Sequence, residues 1–185
     1  MTSDRERWDL RHTSERGSPP RAPDAFVVEV LDRLGPGAGR SALDVACGTG
    51  RHSLLLAERG WDTRSWDVSP VGLAILAERA HAKGLRIETR LVDLAAAVPA
   101  ERELSLVIVV DYLDRDLFGR LGRLVRPGGD VVIATFTEDW PATHPSPRFR
   151  LRRGELGDGV PGLLTVAHRE SQGRVGLWGR AREDS

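Results

Sequence analysis

Between residues 41 and 136, short apolar runs alternate with segments whose apolar residues recur at helical spacing. This alternation favours a parallel sheet, because each parallel strand needs a crossover, usually a helix, before the next strand can begin. The run Leu104–Val110 is almost wholly apolar, as expected for a central strand that is buried on both faces. The pattern predicts an α/β fold in which helices cover both faces of the sheet.

The spacing of apolar residues, together with the residues that typically start and end helices and turns, places the expected elements along the chain. A first helix begins after Asp24 and ends at Gly35, and a later helix begins after Ser69, a suitable N-cap, and ends at Gly84. Two further segments near the end flank the turn Gln172–Gly173 and predict an antiparallel hairpin. We predict strands at 41–46, 63–66, 85–92, 104–110, 130–136, 163–168 and 175–181, and further helices at 51–59 and 114–126.

Composition bears on the partners and the cellular setting. The 27 basic and 27 acidic side chains give a formal net charge of zero, so we expect binding neither to nucleic acid nor to a membrane surface. The single cysteine, Cys47, cannot form an internal disulfide, which favours the cytoplasm, and no apolar stretch has the length of a membrane span. Residues 1–23, rich in Arg, Ser and Pro, predict a flexible arm or lid, and 24–185 a single domain.

The loop between the first strand and the following helix carries the clearest functional signal. It reads DVACGTG from Asp44 to Gly50, and its glycines would let a ligand approach the backbone closely. Ligands of open parallel sheets bind beyond the carboxyl ends of the strands, where this loop lies. A dinucleotide-binding loop would need glycine in place of Ala46 and Arg51, and no Walker motif is present, so a phosphate-binding loop is disfavoured.

The spacing of Asp44, Ala46, Gly48 and Gly50 resembles motif I of the class I S-adenosylmethionine-dependent methyltransferases, with alanine in place of the first glycine. The stretches 106–136 and 146–156 resemble the tellurite-resistance-like branch of that family, and the whole resemblance runs from about residue 8 to 182. It implies a Rossmann-like, mostly parallel seven-stranded sheet with a C-terminal antiparallel hairpin. It also implies S-adenosylmethionine as the cofactor.

By this resemblance, successive strand ends contact the cofactor. Asp44 would hold the methionyl ammonium, Asp67 the ribose hydroxyls and Asp93 the adenine amino group. Val110 and Asp111 would lie beside the reactive sulfonium. The predicted cofactor-binding residues are Asp44, Ala46, Cys47, Gly48, Gly50, Asp67, Val68, Asp93, Leu94, Val110 and Asp111.

The acceptor side is less constrained by the sequence. We predict that Tyr112, Trp140 and Arg148 bind the acceptor, and that Trp8 lies near the pocket mouth. Cys47 is interpreted as a buried filler rather than a nucleophile, no catalytic acid or base is assigned, and no metal is predicted. The predicted function is transfer of a methyl group from S-adenosylmethionine to a small-molecule acceptor by in-line displacement. A non-catalytic module that binds the same cofactor and a nucleotide-dependent oxidoreductase are the alternatives.

Overall fold

The computed structural model describes residues 3–96 and 102–183. Within these residues, seven strands form one sheet: β1 Ser41–Val45, β2 Asp62–Asp67, β3 Ile87–Leu91, β4 Leu104–Val110, β5 Val125–Phe136, β6 Leu163–Ser171 and β7 Arg174–Ala181. Their order across the sheet is β3-β2-β1-β4-β5-β7-β6. Strands β1 to β5 pair in parallel, and β7 pairs antiparallel with both β5 and β6. The predicted Rossmann-like sheet with its C-terminal hairpin is confirmed.

Helices pack on both faces of this sheet. The described helices are α1 Asp4–Glu15, α2 Ala25–Leu34, α3 Arg51–Glu58, α4 Pro70–Ala82 and α5 Arg115–Phe118, with 3-10 turns at Leu121–Arg123 and Pro147–Phe149. All seven residues of β4 are buried. Leu106 and Ile108 pack in a cluster with α2, whereas Val107 and Val109 pack in a second cluster with α5. Because successive strand residues point to opposite faces, β4 joins the two halves of the core.

The prediction of one long helix over 114–126 is wrong. Asp114 does cap a helix, but α5 lasts a single turn, a 3-10 turn follows, and Val125 already belongs to β5. Gly119 and Gly122 interrupt the segment, and glycine disfavours helix interiors by about 1 kcal/mol relative to alanine. The apolar residues of the segment are buried all the same. The spacing of these apolar residues therefore reflects their burial against the sheet and does not indicate a helix.

Strand β5 also begins earlier than the predicted residue 130. Leu104 pairs with Val125, whereas Leu106 pairs with Asp130, so four residues of β5 bulge out between these two pairs. The bulge contains Gly128, which has a φ of 70°. Residues 127–129, which directly follow the helix predicted over 114–126, instead form part of this bulge within the strand.

The N-terminal segment contains an element that the sequence reading missed. Helix α1 starts with a capping box, in which the Ser3 hydroxyl accepts from the Glu6 N–H and the Glu6 carboxylate accepts from the Ser3 N–H. The helix packs against α4, and the Ser69 hydroxyl donates to Asp9 at 2.5 Å. Residues 1–2 of the predicted arm, and 97–101 and 184–185 of the predicted domain, lie outside the described residues.

Across 3–96 and 102–183, no helix has both the length and the apolar character that a bilayer crossing requires.

Candidate functional site

A cavity of about 270 Å³ opens at the carboxyl ends of the parallel strands. The loop after β1 forms its floor, the loops after β2, β3 and β4 form its walls, and α1 together with residues 18–21 forms its roof. This position is where open α/β sheets bind their ligands. The sequence-predicted residues that line it are Ala46, Cys47, Gly48, Asp67, Val68, Asp93, Leu94, Val110, Asp111 and Tyr112.

The floor of the cavity is the loop between β1 and α3, whose backbone is left-handed at three alternate positions. Ala46, Gly48 and Gly50 have φ values of 56°, 56° and 84°. Gly50 does not line the cavity: a Cβ atom there would lie 2.2 Å from Leu76 Cδ1, so this glycine allows α4 to pack close to the loop. Ala46 adopts the left-handed conformation despite its Cβ atom, which is a modest local strain.

Asp67, at the end of β2, fixes the same loop from the side. Its carboxylate accepts from the Gly48 N–H at 2.7 Å and from the Ser69 N–H at 2.8 Å. Burial raises the pKa of Asp67, and these two backbone donors partly offset that effect by stabilising the charged form. The carboxylate is thus oriented at the cavity wall before any ligand arrives.

Asp44 lies beneath the cavity rather than in its wall. The side chain is buried, and its carboxylate accepts from the Ser53 hydroxyl at 2.6 Å, which ties β1 to α3. Burial raises the pKa of Asp44 to about 7. Asp44 does not line the cavity, and its expected role in holding a ligand ammonium, directly or through water, stays a prediction.

Asp111 stands where β4 ends and is held by two arginines. Its φ is 57°, and its carboxylate accepts from Arg51 at 2.6 Å and from Arg174 at 2.5 Å. Arg174 also donates to Asp24 at 2.6 Å, so the four side chains form a chain of alternating charge. Arg51 lines the cavity beside Asp111. The sequence reading noted Arg51 only as a departure from glycine and missed this pairing.

Three other titratable groups that line the cavity, those of His52, Cys47 and Tyr112, are held in neutral forms. Burial lowers the pKa of His52 to about 3, and its Nε2 accepts from the Asp24 N–H at 3.0 Å, so this imidazole supports α2. Burial raises the pKa of the Cys47 thiol, which suits the predicted filler and not a nucleophile. Burial also raises the pKa of Tyr112 to about 12.

Known proteins resemble the chain in sequence and in fold. A family model described as a methyltransferase domain matches residues 42–129. The probable S-adenosyl-L-methionine-dependent methyltransferase TehB of Haemophilus influenzae is 33% identical over 141 residues, a match that covers 72% of this chain and 49% of TehB. Structural alignment with the crystal structure of TehB covers 95% of this chain and 67% of the TehB chain, with a TM-score of 0.75 and 22% identity.

The chain belongs to the class I S-adenosylmethionine-dependent methyltransferases. Within them it lies in the branch that contains TehB. It spans about half the length of the curated TehB that it matches. A phosphoethanolamine N-methyltransferase of Haemonchus contortus, solved in complex with S-adenosyl-L-methionine, has the same fold, with a TM-score of 0.76, 15% identity and coverage of 99% of this chain and 61% of that chain.

The roof over this cavity is a second feature that the sequence alone did not reveal in full. Asp4, Trp8 and His12 recur every four residues along one face of α1, and all three line the cavity. Trp8, expected near the pocket mouth, stacks on His12 with ring centroids 5.6 Å apart. The capping box at Ser3 and the four-residue spacing were the signals available in the sequence.

Two side chains predicted to bind the methyl acceptor do not line this cavity. The indole N–H of Trp140 donates to the carbonyl of His144 at 2.8 Å, and its ring packs edge-on against Phe136. Arg148 is exposed and its guanidinium lies over the ring of Phe149. The contacts of both residues lie within β5 and the loop that follows it, so the structure gives no support to their role at the acceptor site.

Among the described residues, no cluster of His, Cys, Asp and Glu could hold a metal ion.

Proposed function

We propose that the cavity binds S-adenosylmethionine and that the chain transfers its methyl group to a small-molecule acceptor by in-line displacement. The observation that carries this proposal is the convergence of Asp67, Asp93 and Asp111 on one cavity above the bare backbone at Gly48. These carboxylates follow β2, β3 and β4, so each can meet a different part of one extended ligand.

The cavity walls match the nucleoside half of the cofactor. Asp67 faces the cavity with its orientation fixed by two backbone donors, and it would accept hydrogen bonds from the ribose hydroxyls. Val68 and Leu94 provide apolar side chains on adjoining strand ends, between which the adenine ring would lie. Asp93 would accept from the adenine amino group.

The opposite end of the cavity matches the amino-acid half. This part of the cofactor carries both an ammonium and a carboxylate, and Arg51 and Asp111 offer one partner for each. Without a ligand these two side chains neutralise one another at 2.6 Å. Exchange of that ion pair for two new ones would leave no charge unpaired, and Arg174 would keep Asp111 in place.

The bound cofactor supplies an electrophilic methyl group on a sulfonium centre. The chain's contribution to the reaction is to hold donor and acceptor in line and in contact while water is excluded. Since burial raises the pKa of Tyr112 to about 12, this phenol keeps its proton at neutral pH. Tyr112 would therefore orient an acceptor by donating a hydrogen bond, and it would not remove a proton from it.

A cytoplasmic location stays a prediction.

Isotope-labelled methyl transfer tests the proposal. The protein is incubated with S-adenosylmethionine labelled at the methyl group and a panel of thiols, oxyanions and small phenols, and we expect label in at least one product. Asp67→Ala should reduce the rate at low donor concentration, whereas Asp62→Ala, at the exposed start of the same strand, should not. Tight donor binding without transfer to any acceptor would contradict the catalytic part and favour a binding module.

A further inference from the structure

Helix α1 covers the cavity but is attached to the rest of the molecule by few buried side chains. Of residues 4–15, all of which the structure describes, only His12 is buried. The other attachments are polar, because the Ser69 hydroxyl donates to Asp9 at 2.5 Å and Arg16 forms an ion pair with Glu78 at 2.7 Å. Both side chains of that ion pair are more than half exposed, so it adds little stability. An element with so few buried apolar contacts opens at a low cost in free energy.

Residues 16–23, which we call the strap, join α1 to α2 and complete the roof. The strap is exposed up to residue 22, and its three prolines have no N–H to donate. Two arginines of the body of the molecule hold its carbonyls. Arg79 donates to the carbonyl of Ser18 at 2.9 Å, and Arg51 donates to the carbonyl of Ala22 at 3.3 Å. The strap therefore closes over the cavity through contacts that can be broken without exposing a core.

Arg51 is shared between the strap and the cavity. Its Nη1 donates to the carbonyl of Ala22, while its Nη2 donates to Asp111 at 2.6 Å. Arg51 also lines the cavity together with residues 18–21 of the strap. A ligand that contacts Arg51 on one side and the strap on the other binds the closed arrangement more tightly than an open one. Its binding must then shift the population toward the closed arrangement.

We propose that α1 and the strap form a gate over the cavity, and that Arg51 couples closure of this gate to the amino-acid half of the bound donor. This inference rests on the proposed function. The gate opens when α1 separates from α4 and the strap separates from Arg51 and Arg79. The donor enters, and S-adenosylhomocysteine leaves, through that open form. The amino-acid half lies between Arg51 and the strap, and it holds the gate closed.

Limited proteolysis with trypsin tests the proposal. The strap contains two cleavable bonds, after Arg16 and after Arg21, and the rate of cleavage follows the population in which the strap is released from its contacts. S-adenosylhomocysteine at a concentration that calorimetry shows to be saturating should slow both cuts by about tenfold or more. Cleavage after Arg152, an exposed residue that does not line the cavity, should keep its rate.

The ligand 5′-methylthioadenosine, which lacks the amino-acid half, separates the role of Arg51 from simple filling of the cavity. At saturation it should slow the two cuts less than S-adenosylhomocysteine does. In Arg51→Met, both ligands at saturation should slow them equally. Equal protection by the two ligands in the unchanged protein, or a greater effect of S-adenosylhomocysteine that persists in Arg51→Met, would overturn the coupling through Arg51.

The ion pair between Arg16 and Glu78 tests the gate itself. Glu78→Gln removes this pair and leaves both cleavage sites of the strap in place. Cleavage after Arg21 in the unliganded protein should become faster, by up to about fivefold, as expected for loss of one exposed ion pair. Glu58→Gln is the matched control, because it removes the exposed pair with Lys83 at the other end of α4 and should leave that rate unchanged. Equal rates in Glu78→Gln and Glu58→Gln would overturn the attachment of the gate to α4.

The two proposals fail in different ways. If S-adenosylhomocysteine binds in calorimetry but slows neither cut, the gate is overturned and the proposed function stands. If the unchanged protein does not bind S-adenosylhomocysteine, the proposed function is overturned and the coupling with it.

Discussion

Arg51 and Asp111 present opposite charges side by side on the cavity wall. Replacing Arg51 tests whether the amino-acid half of the ligand binds beside this pair. In Arg51→Met, Asp111 keeps Arg174 as its partner, so no buried carboxylate is left alone. We expect the affinity for S-adenosylhomocysteine to fall by about 1.5–3 kcal/mol, the range for a hydrogen bond to a charged group. The affinity for 5′-methylthioadenosine, which has no amino-acid part, should stay unchanged.

Calorimetry with both ligands measures this difference. Arg59→Met is the matched control, because Arg59 caps the other end of α3 and pairs with Asp32 away from the cavity. A loss of equal size for both ligands would contradict the placement of the amino-acid half beside Arg51.

The positions of individual site residues could be predicted from the sequence where the course of the backbone alone brings them to the cavity. Asp67 and Asp93 follow parallel strands, so the topology brings them to one edge of the sheet whatever their side chains contact. Asp44 also ends a strand, but its side chain points beneath the loop to Ser53, a direction that the sequence does not encode locally. Arg51 pairs with Asp111, 60 residues away, and His12 reaches the cavity from a separate helix, and a linear motif reveals neither arrangement.

At the scale of elements, burial of the Asp44 carboxyl in β1, which bonds to Ser53 in α3, should make the stability of this strand–loop–helix unit dependent on pH. Burial raises the pKa of Asp44 to about 7, so the native protein holds this proton more tightly than the unfolded chain does. Stability from this group is therefore present at low pH and is lost as pH rises from about 4 through about 7. Asp44→Asn cannot ionise and escapes that loss.

Urea unfolding at a series of pH values checks this expectation. Between about pH 4 and 7, the free energy of unfolding of Asp44→Asn should rise relative to that of the unchanged protein, by at most roughly 1.4 kcal/mol per pH unit. Asp62→Asn, on an exposed position of β2, should show no such trend. A difference between Asp44→Asn and the unchanged protein that stays constant over this range would contradict the assignment.

The elements themselves were predictable where burial and local propensity agree. Strand β4 was predicted with its observed ends, because an apolar run of β-branched residues satisfies both. The segment after it was not, since its apolar spacing suits a helix while Gly119 and Gly122 break one. Helix α1 was missed because its exposed, charged sequence has no apolar stripe. Its stability comes from the capping box at Ser3 and from packing on α4.

At the scale of the molecule, the sheet order explains why the candidate site lies where it does. Strand order reverses between β1 and β4, and the crossovers that leave these strands diverge to opposite sides. The crevice that results is lined by the loops after both strands and is closed above by α1. The alternation of strands and helices was enough to predict this crevice, but not the roof that covers it.

Calorimetric titration of the unchanged protein with S-adenosylhomocysteine, and with NADH under the same conditions, decides whether the cavity is a site for the methyl donor. We expect micromolar or tighter binding of S-adenosylhomocysteine, at one site per chain, and no binding of NADH. Micromolar binding of NADH with none of S-adenosylhomocysteine would contradict it.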